Sequence, residues 1–245
     1  NVVWLALLAT VYYALKAILD PTIPANGGFY RAIEVAAPEG SILNARPPAA
    51  VGWRTQTCQR IADVIFGALA PVLPDRVPAA GNGANTAWVF SGVDPRTGRY
   101  YVYLETIGGG AGATPAADGL DGVQVHITNT SNLPVECLEM EYPLLVEEYA
   151  LVEGSGGAGR FRGGRGLQRT IAVLGHEAQL LATLERAEIA PWGLAGGGPG
   201  GRAALVLNPE APTAAALPSK LWGHTLRPGD RVRVVTPGGG GHGGP

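Results

Sequence analysis

Three groups of residues in this chain have the types and spacing to do chemistry. The first is His126 and Asn129, which follow Gly122-Val123-Gln124-Val125. The alternation of Val123, Val125 and Ile127 predicts a strand over Gly122–Thr128 that turns Gln124, His126 and Thr128 to one face. There His126 is a proton donor or acceptor and Asn129 a side chain that holds a carbonyl oxygen. The alternative is a pair that fixes backbone where a strand enters a loop. The second group is Glu105 with Gly108-Gly109-Gly110. Successive glycines offer bare backbone N–H groups to an oxyanion or phosphate. Glu105 beside them is a base or a ligand, or else a carboxylate that caps the loop. The third group is Arg160, Arg162 and Arg165, forked donors in a glycine frame that suit a carboxylate or phosphate. The plainer reading pairs them with Glu136, Glu139, Glu147 or Glu148. If the strand ending near Ile107 pairs with Gly122–Thr128, then Glu105, Gly108–Gly110, His126 and Asn129 share one polar corner.

Other chemistries lack their motifs. Gly154, Gly156 and Gly159 match G-x-G-x-x-G, and Gly108, Gly110 and Ala113 its relaxed form. That fingerprint works only where it opens a helix, and neither Arg160-Phe161-Arg162-Gly163-Gly164 nor Thr114-Pro115 begins one. There is no G-x-x-x-x-G-K-[ST] phosphate loop, no G-x-S-x-G elbow and no H-E-x-x-H helix. His126, His176, His224 and His242 lie far apart, so no local spacing argues for a metal. Cys58 and Cys137 form no framework. A net charge of −2 with scattered acids and bases gives no footprint for nucleic acid or an anionic membrane.

The elements that must position these residues fall into two parts. Val2–Leu19 reads as a buried helix stopped by Asp20-Pro21, and Thr57–Ala70 as a second, with Ile61, Val64, Ile65, Ala68 and Leu69 on its apolar face, Thr55 or Thr57 as cap, and Pro71 and Pro74 beyond it. From about Asn85 the pattern changes to short runs between glycines. Thr86–Ser91, Arg99–Ile107, Gly122–Thr128, Leu144–Val152, Leu167–Leu174, Gln179–Glu185, Ala203–Leu207 and Arg231–Thr236 read as strands. Asp94-Pro95-Arg96-Thr97-Gly98 turns the first pair into a hairpin. A helix over Ala178–Glu188 is the competing reading there. The fold class is α+β: a β-rich, antiparallel, sandwich-like part with Gly-rich turns, and a smaller N-terminal helical part. Residues 1–75 are expected to form the helical segment and 76–245 the β-rich domain. Trp192 reads as a core or interface aromatic.

Taken in order, the segments Pro24–Gly28 with Arg31, Ala37–Asn44, Arg46–Val51, Glu105–Ala113, Asp118-Gly119, His126–Thr130, Pro134–Glu136, Ser155–Gly164, Pro191–Gly197 and Thr236–Pro245 resemble the hydantoinase B / 5-oxoprolinase family over nearly the whole chain. Family members often carry a second histidine where Gln124 stands, and tyrosine where His242 stands. The resemblance implies the C-terminal half of a B-type subunit. Its partners would be an A-type, ATP-binding subunit or domain, the N-terminal half of the same subunit and a small cyclic amide. ATP and a divalent metal would belong to the complete enzyme, and none is expected on this chain. In the family the B-type subunit completes hydrolysis of the activated amide or, in acetone and acetophenone carboxylases, carbon–carbon bond formation. A third reading is a non-catalytic module that supports a partner. The candidate site, read from the residues themselves, is Glu105, His126 and Asn129, with Gly108, Gly109, Gly110, Arg162 and Arg165 binding substrate or oxyanion. Two widely spaced cysteines and no cationic, apolar leader pattern lead to the expectation of a cytoplasmic location.

Two outcomes are expected. The full-length protein should be recovered without detergent, because Lys16 interrupts the short apolar run Val2–Leu19; quantitative recovery in a membrane pellet contradicts this. The chain by itself should open no amide and hold no stoichiometric metal, as elemental analysis would check.

Overall fold

In the computed structural model, which describes residues 1–244, the first apolar run is helix α1 (Trp4–Leu19). Pro245, the last residue of the terminal glycine motif, lies outside the described residues. Leu7, Thr10, Ala14 and Ile18 are the buried positions of α1, three and four residues apart, so one stripe faces inward. A single-turn helix, α2 (Gly27–Tyr30), follows, with Asn26 Oδ1 accepting from the Gly28 amide at 2.9 Å. The α1 stripe packs on α3 (Arg54–Leu69): Ala14 and Ile18 meet Ala62 and Phe66, while Leu7 meets Cys58 and Ile61. Among the described residues no helix is long and apolar enough to cross a membrane.

Helix α3 corrects the sequence reading in two ways. It begins at Arg54 with Trp53 at the N-cap and no side-chain cap; the Thr55 hydroxyl instead accepts from Asn85 Nδ2 at 3.1 Å. Its buried face is Gln56, Cys58, Gln59, Ile61, Ala62, Asp63 and Phe66, whereas Val64 is 69% exposed and Ala68 is exposed too. The helix turns polar residues inward because each finds a partner there. Gln56 Nε2 donates to Asn85 O at 2.7 Å, and Gln59 Nε2 to Val125 O at 3.0 Å.

Among the described residues nine strands form two antiparallel sheets. The first has the order β2 (Tyr100–Ile107), β1 (Thr86–Val93), β5 (Ala178–Thr183), β8 (Lys220–Leu226); the second runs β3 (Leu144–Leu151), β4 (Leu167–Val173), β9 (Arg231–Val235), β6 (Ala204–Leu207), β7 (Ala215–Ala216). The β1–β2 hairpin is the one expected: Asp94 O accepts from Gly98 N at 2.8 Å, and Asp94 Oδ1 from the Arg96 amide at 2.8 Å. One core fills the space between the sheets, with Trp88, Phe90, Tyr103 and Leu180 from the first and Leu144, Ile171, Val173, Val232 and Val234 from the second. The helical alternative for Ala178–Glu188 gives way to β5. Four elements carry no expectation: α2, α4 (Val135–Glu141), β7, and β8, which holds Gly223 at φ 72°.

The strand expected over Gly122–Thr128 does not form. Only Val123 makes a bridge, to Gly109, and His126 sits in a turn at φ 54°. Side chains take part where a ladder would run: besides the Gly109 amide, Val123 O accepts from Asn82 Nδ2 at 3.2 Å, and Val125 O accepts from Gln59 Nε2. The alternation that put Gln124, His126 and Thr128 on one strand face therefore has no ladder to act on.

The glycine clusters join these parts by laying backbone directly on backbone. Gly239 N donates to Gly164 O at 2.8 Å, Gly164 N to Ala111 O at 2.8 Å, and Gly157 N to Gly239 O at 2.8 Å. A Cβ on Gly110 would overlap Gly164 O, and one on Gly239 would overlap Ala111 O. At Gly27 an added Cβ meets nothing within 4 Å, so this residue serves as a control. We expect Gly110→Ala to lower stability by about 3 kcal/mol or more, beyond ordinary overpacking because the clash is with backbone, and Gly27→Ala to change it by less than about 1 kcal/mol. Thermal or urea unfolding of the two variants checks the contrast.

Candidate functional site

Helix α3, the 122–130 loop and the segment after β5 converge on one buried carboxylate, Asp63. Residues 60, 63 and 66 lie one helical turn apart on α3 and bring Arg60, Asp63 and Phe66 to the same side. Asp63 Oδ1 faces His126 Nε2 at 2.9 Å, and Oδ2 accepts from Arg186 at 2.7 Å and pairs ionically with Arg60 at 2.9 Å. Its side chain is 4% exposed and that of His126 is 7% exposed, so the pair is shielded from competing water. A carboxylate only accepts, so His126 Nε2 carries the proton and Nδ1 is the acceptor. Nδ1 lies 3.4 Å from the hydroxyl of Tyr13 on α1. Phe66 packs edge-on to the imidazole at 5.3 Å between ring centroids.

The backbone around His126 is held from α3. Gln59 Nε2 bonds both Val125 O at 3.0 Å and Thr128 Oγ1 at 2.7 Å, which fixes the loop on either side of the histidine. Arg186 also has a left-handed backbone, φ 64°, unusual for a long side chain. Burial alone would raise the Asp63 carboxyl. The His126 hydrogen bond and the neighbouring arginines outweigh it and hold the group below the ordinary carboxylate range. Burial, and then the Asp63 charge, push the Tyr13 hydroxyl up, so it stays a proton donor at neutral pH.

Two clefts flank this chain of groups. Arg60, Asp63, Arg186 and Trp192 line one of about 580 Å³. Tyr13, Phe66 and His126 line another of about 310 Å³. The linked groups from Tyr13 through His126 to Asp63 thus run between two solvent-accessible spaces. A histidine held in one tautomer by a buried carboxylate has the geometry of an oriented general base.

The other expected site residues are placed differently. Glu105 is buried within the sandwich, where Arg169 Nη1 lies 3.2 Å from its carboxylate, Trp88 Nε1 donates at 3.2 Å and Asn132 Nδ2 at 2.8 Å. The Arg169 guanidinium lies over the Tyr149 ring at 4.4 Å. Glu105 and His126 share no hydrogen-bonding partner, so the single polar corner expected from strand pairing is replaced by two separate networks. The oxyanion reading of the glycine loop also needs correction. Gly109 N donates to Val123 O and Gly110 N to Pro237 O, both at 2.9 Å, and Gly108 packs against the Val123 backbone. Asn129 is exposed and makes no side-chain hydrogen bond among the described residues. Arg162 and Arg165 pair with Asp121, and Arg165 also with Glu153, instead of the four glutamates expected. Trp192 packs against the α1–α3 core, next to Gly67.

Sequence reasoning missed Asp63, Arg60, Arg186 and Tyr13. One signal was present: Gln56, Gln59 and Asp63 recur at helical spacing, a polar stripe beside the apolar one. Nothing local marks Arg186, whose partner lies 123 residues away. Among the described residues no three of His, Cys, Asp and Glu gather as metal ligands, so they do not fit a metal centre. The glycine clusters open no helix, and the amides of Gly109, Gly110, Gly157, Gly163 and Gly164 bond other backbone, so they do not fit a nucleotide phosphate.

Comparison with known proteins covers the whole chain. Residues 1–245 match the family model described as Hydantoinase B/oxoprolinase. An uncharacterized protein of Methanocaldococcus jannaschii is 41% identical over 100% of this chain and 42% of its own length. A 5-oxoprolinase of Pestalotiopsis fici is 34% identical over 97% of this chain and 19% of its own. The crystal structure of the ATP-dependent caprolactamase from Pseudomonas jessenii superposes with a TM-score of 0.83 at 28% identity, over 97% of this chain and 42% of that one. The chain therefore spans less than half the length of each of these proteins.

The Asp63 cluster sets a pH dependence. The folded carboxyl ionises below the ordinary aspartate range, so the native state binds fewer protons than the unfolded chain. The stabilisation is present above that range and is lost as pH falls through the folded pKa. We expect Asp63→Asn to cost about 3–5 kcal/mol near neutral pH by leaving a buried arginine unpaired, and to flatten the stability curve below about pH 4. Urea unfolding at several pH values reads both effects.

Proposed function

The chain belongs to the hydantoinase B/oxoprolinase family, and on that premise we propose that it is part of the B-type subunit of an ATP-dependent cyclic-amide hydrolase. The observation that carries the reading is the match, along 97% of the chain in sequence and in structure, to proteins named for opening oxoproline and caprolactam rings. The remainder of the B-type subunit and an A-type, ATP-binding partner would complete the enzyme. ATP would activate the amide carbonyl, and a divalent metal would be held outside the described residues.

Within this chain the proton chemistry falls to His126. Asp63 fixes the imidazole with its proton on Nε2 and stabilises the cation that forms when Nδ1 accepts a second proton. Nδ1 faces the Tyr13 side and the smaller cleft, where it takes a proton from the attacking water. The Tyr13 hydroxyl, 3.4 Å away, is held loosely enough to yield its place to that water. Glu105, buried against Arg169, keeps a structural role in this scheme.

The test is an assay of the full-length protein with its A-type partner on 5-oxoproline, hydantoin and caprolactam. We expect ATP-dependent opening of at least one ring, and a fall in kcat of about 100-fold or more in His126→Gln, the range of a lost general base. Carboxylation of acetone with none of the three rings opened would replace the hydrolase reading with the carboxylase one. Unchanged kcat in His126→Gln would remove the histidine from the chemistry.

A further inference from the structure

His126 occupies a backbone position that glycine usually takes. Thr128 N donates to Val125 O at 3.2 Å and closes a turn in which His126 is the first central residue, at φ 54°. A positive φ there favours glycine, because a Cβ crowds the carbonyl that follows it. Strain of this kind persists only where the surroundings enforce it.

One side chain does the enforcing. Gln59 is wholly buried on α3, and its Nε2 donates to Val125 O at 3.0 Å and to Thr128 Oγ1 at 2.7 Å. Those are the first and the last residue of the turn, so a single carboxamide clasps both ends. Apart from the bond that closes the turn, the Gln59 bond is the only one made to the main chain of Val125, His126 and Ile127 among the described residues. Both Nε2 protons are used in this way, and Gln59 Oε1 has no partner among the described residues. A buried carbonyl left unpaired is a cost that an apolar side chain at position 59 would avoid. Gln59 and Asp63 lie one helical turn apart on the buried face of α3. Asp63 meets the imidazole of His126, and Gln59 the backbone that carries it.

We propose that Gln59 is a positioning residue for His126. By clasping the turn it aims Nε2 at Asp63 and Nδ1 at the smaller cleft. Released from the clasp, the turn relaxes out of positive φ and carries the imidazole away from the carboxylate, so neither nitrogen keeps a fixed role. That the aimed Nδ1 then serves as a base rests on the function proposed above; the aim of the ring does not.

The test is NMR of nitrogen-labelled histidine side chains in the full-length protein, with the His126 signals identified by their loss in His126→Gln. We expect one tautomer, protonated on Nε2, in the unsubstituted protein. Gln59→Met, which keeps the side-chain length and loses the hydrogen bonds, should show both tautomers. In ring opening with the A-type partner its kcat should fall about tenfold or more while KM stays within about twofold, the mark of a misplaced catalytic group. Thr128→Val, which frees one end of the turn, should show the same mixture and lower kcat about threefold or more. Thr128→Ser, which restores the hydroxyl, should bring kcat back to within about twofold of the unsubstituted protein. Melting curves check that the variants are folded, and if Gln59→Met is not, the two Thr128 variants decide. A single Nε2-protonated tautomer retained in the folded variants overturns the proposal, even with a lowered melting temperature, because the glutamine would then be structural only. So does a mixture already present in the unsubstituted protein, or a raised KM with kcat unchanged. Because the spectra need no turnover, tautomers mixed only in the variants together with failed ring opening would sink the hydrolase reading and leave the positioning role standing. Ring opening with the tautomer retained in the variants would do the reverse.

Discussion

Where the glycine segments cross, main chain rests on main chain with no side chain between, and the remainder of the molecule is arranged around that contact. The segments near residues 79–83, 108–113, 155–166, 193–201 and 236–243 exchange hydrogen bonds such as Gly240 N to Ala80 O and Gly241 N to Gly198 O, at 2.8 and 2.9 Å. Few of these residues belong to a named strand, yet many of their amides find backbone carbonyls, among them those of Gly109, Gly110, Gly157, Gly164, Gly239, Gly240 and Gly241. Buried backbone demands such pairing, and close approach supplies it without a regular sheet. The cost is entropic, since glycine loses more conformational freedom on folding than any other residue. Sequence positions far apart are thereby brought within one layer, and Trp192 and Leu194 are carried from that layer onto the α1–α3 pair.

Asp63 is the polar counterpart of this arrangement. Three cationic or hydrogen-bonding groups from three parts of the chain meet on one carboxylate, so α3, the 122–130 loop and the segment after β5 are tied at a single point. A buried charge network of this kind contributes little net stability compared with an apolar core, because the desolvation of each ion offsets its attraction. Its value lies in orientation. It sets the tautomer of His126 and holds a guanidinium at the floor of the larger cleft. Glu105 and Arg169 form a second network of this type inside the sandwich, where the same local chemistry closes on itself and faces no cleft.

The elements that sequence determined are those whose signal is local. Seven of the nine strands fall within a few residues of the alternating runs read from sequence, and both long helices start and stop near their expected ends. Alternation, helical spacing and proline stops act over a few residues and need no distant partner. The family was legible as well, because its ordered segments match over residues 1–245. His126 was visible as a candidate for the same reason.

Tertiary structure decided the rest. Gly122–Val125 had the alternation of a strand, but beyond the single bridge to Gly109 its carbonyls accept from Gln59 and Asn82, side chains 66 and 41 residues away. The stripe on α3 that looked apolar lost its place to Gln56, Gln59 and Asp63, since a buried polar group with a partner costs less than a pattern of hydrophobicity suggests. Glu105 and His126 looked like neighbours and became members of different networks, because the loop between them left the sheet. Sequence alone fixes which residues can ionise, bend or pair; which of them meet is set by long-range contacts that local patterns do not encode.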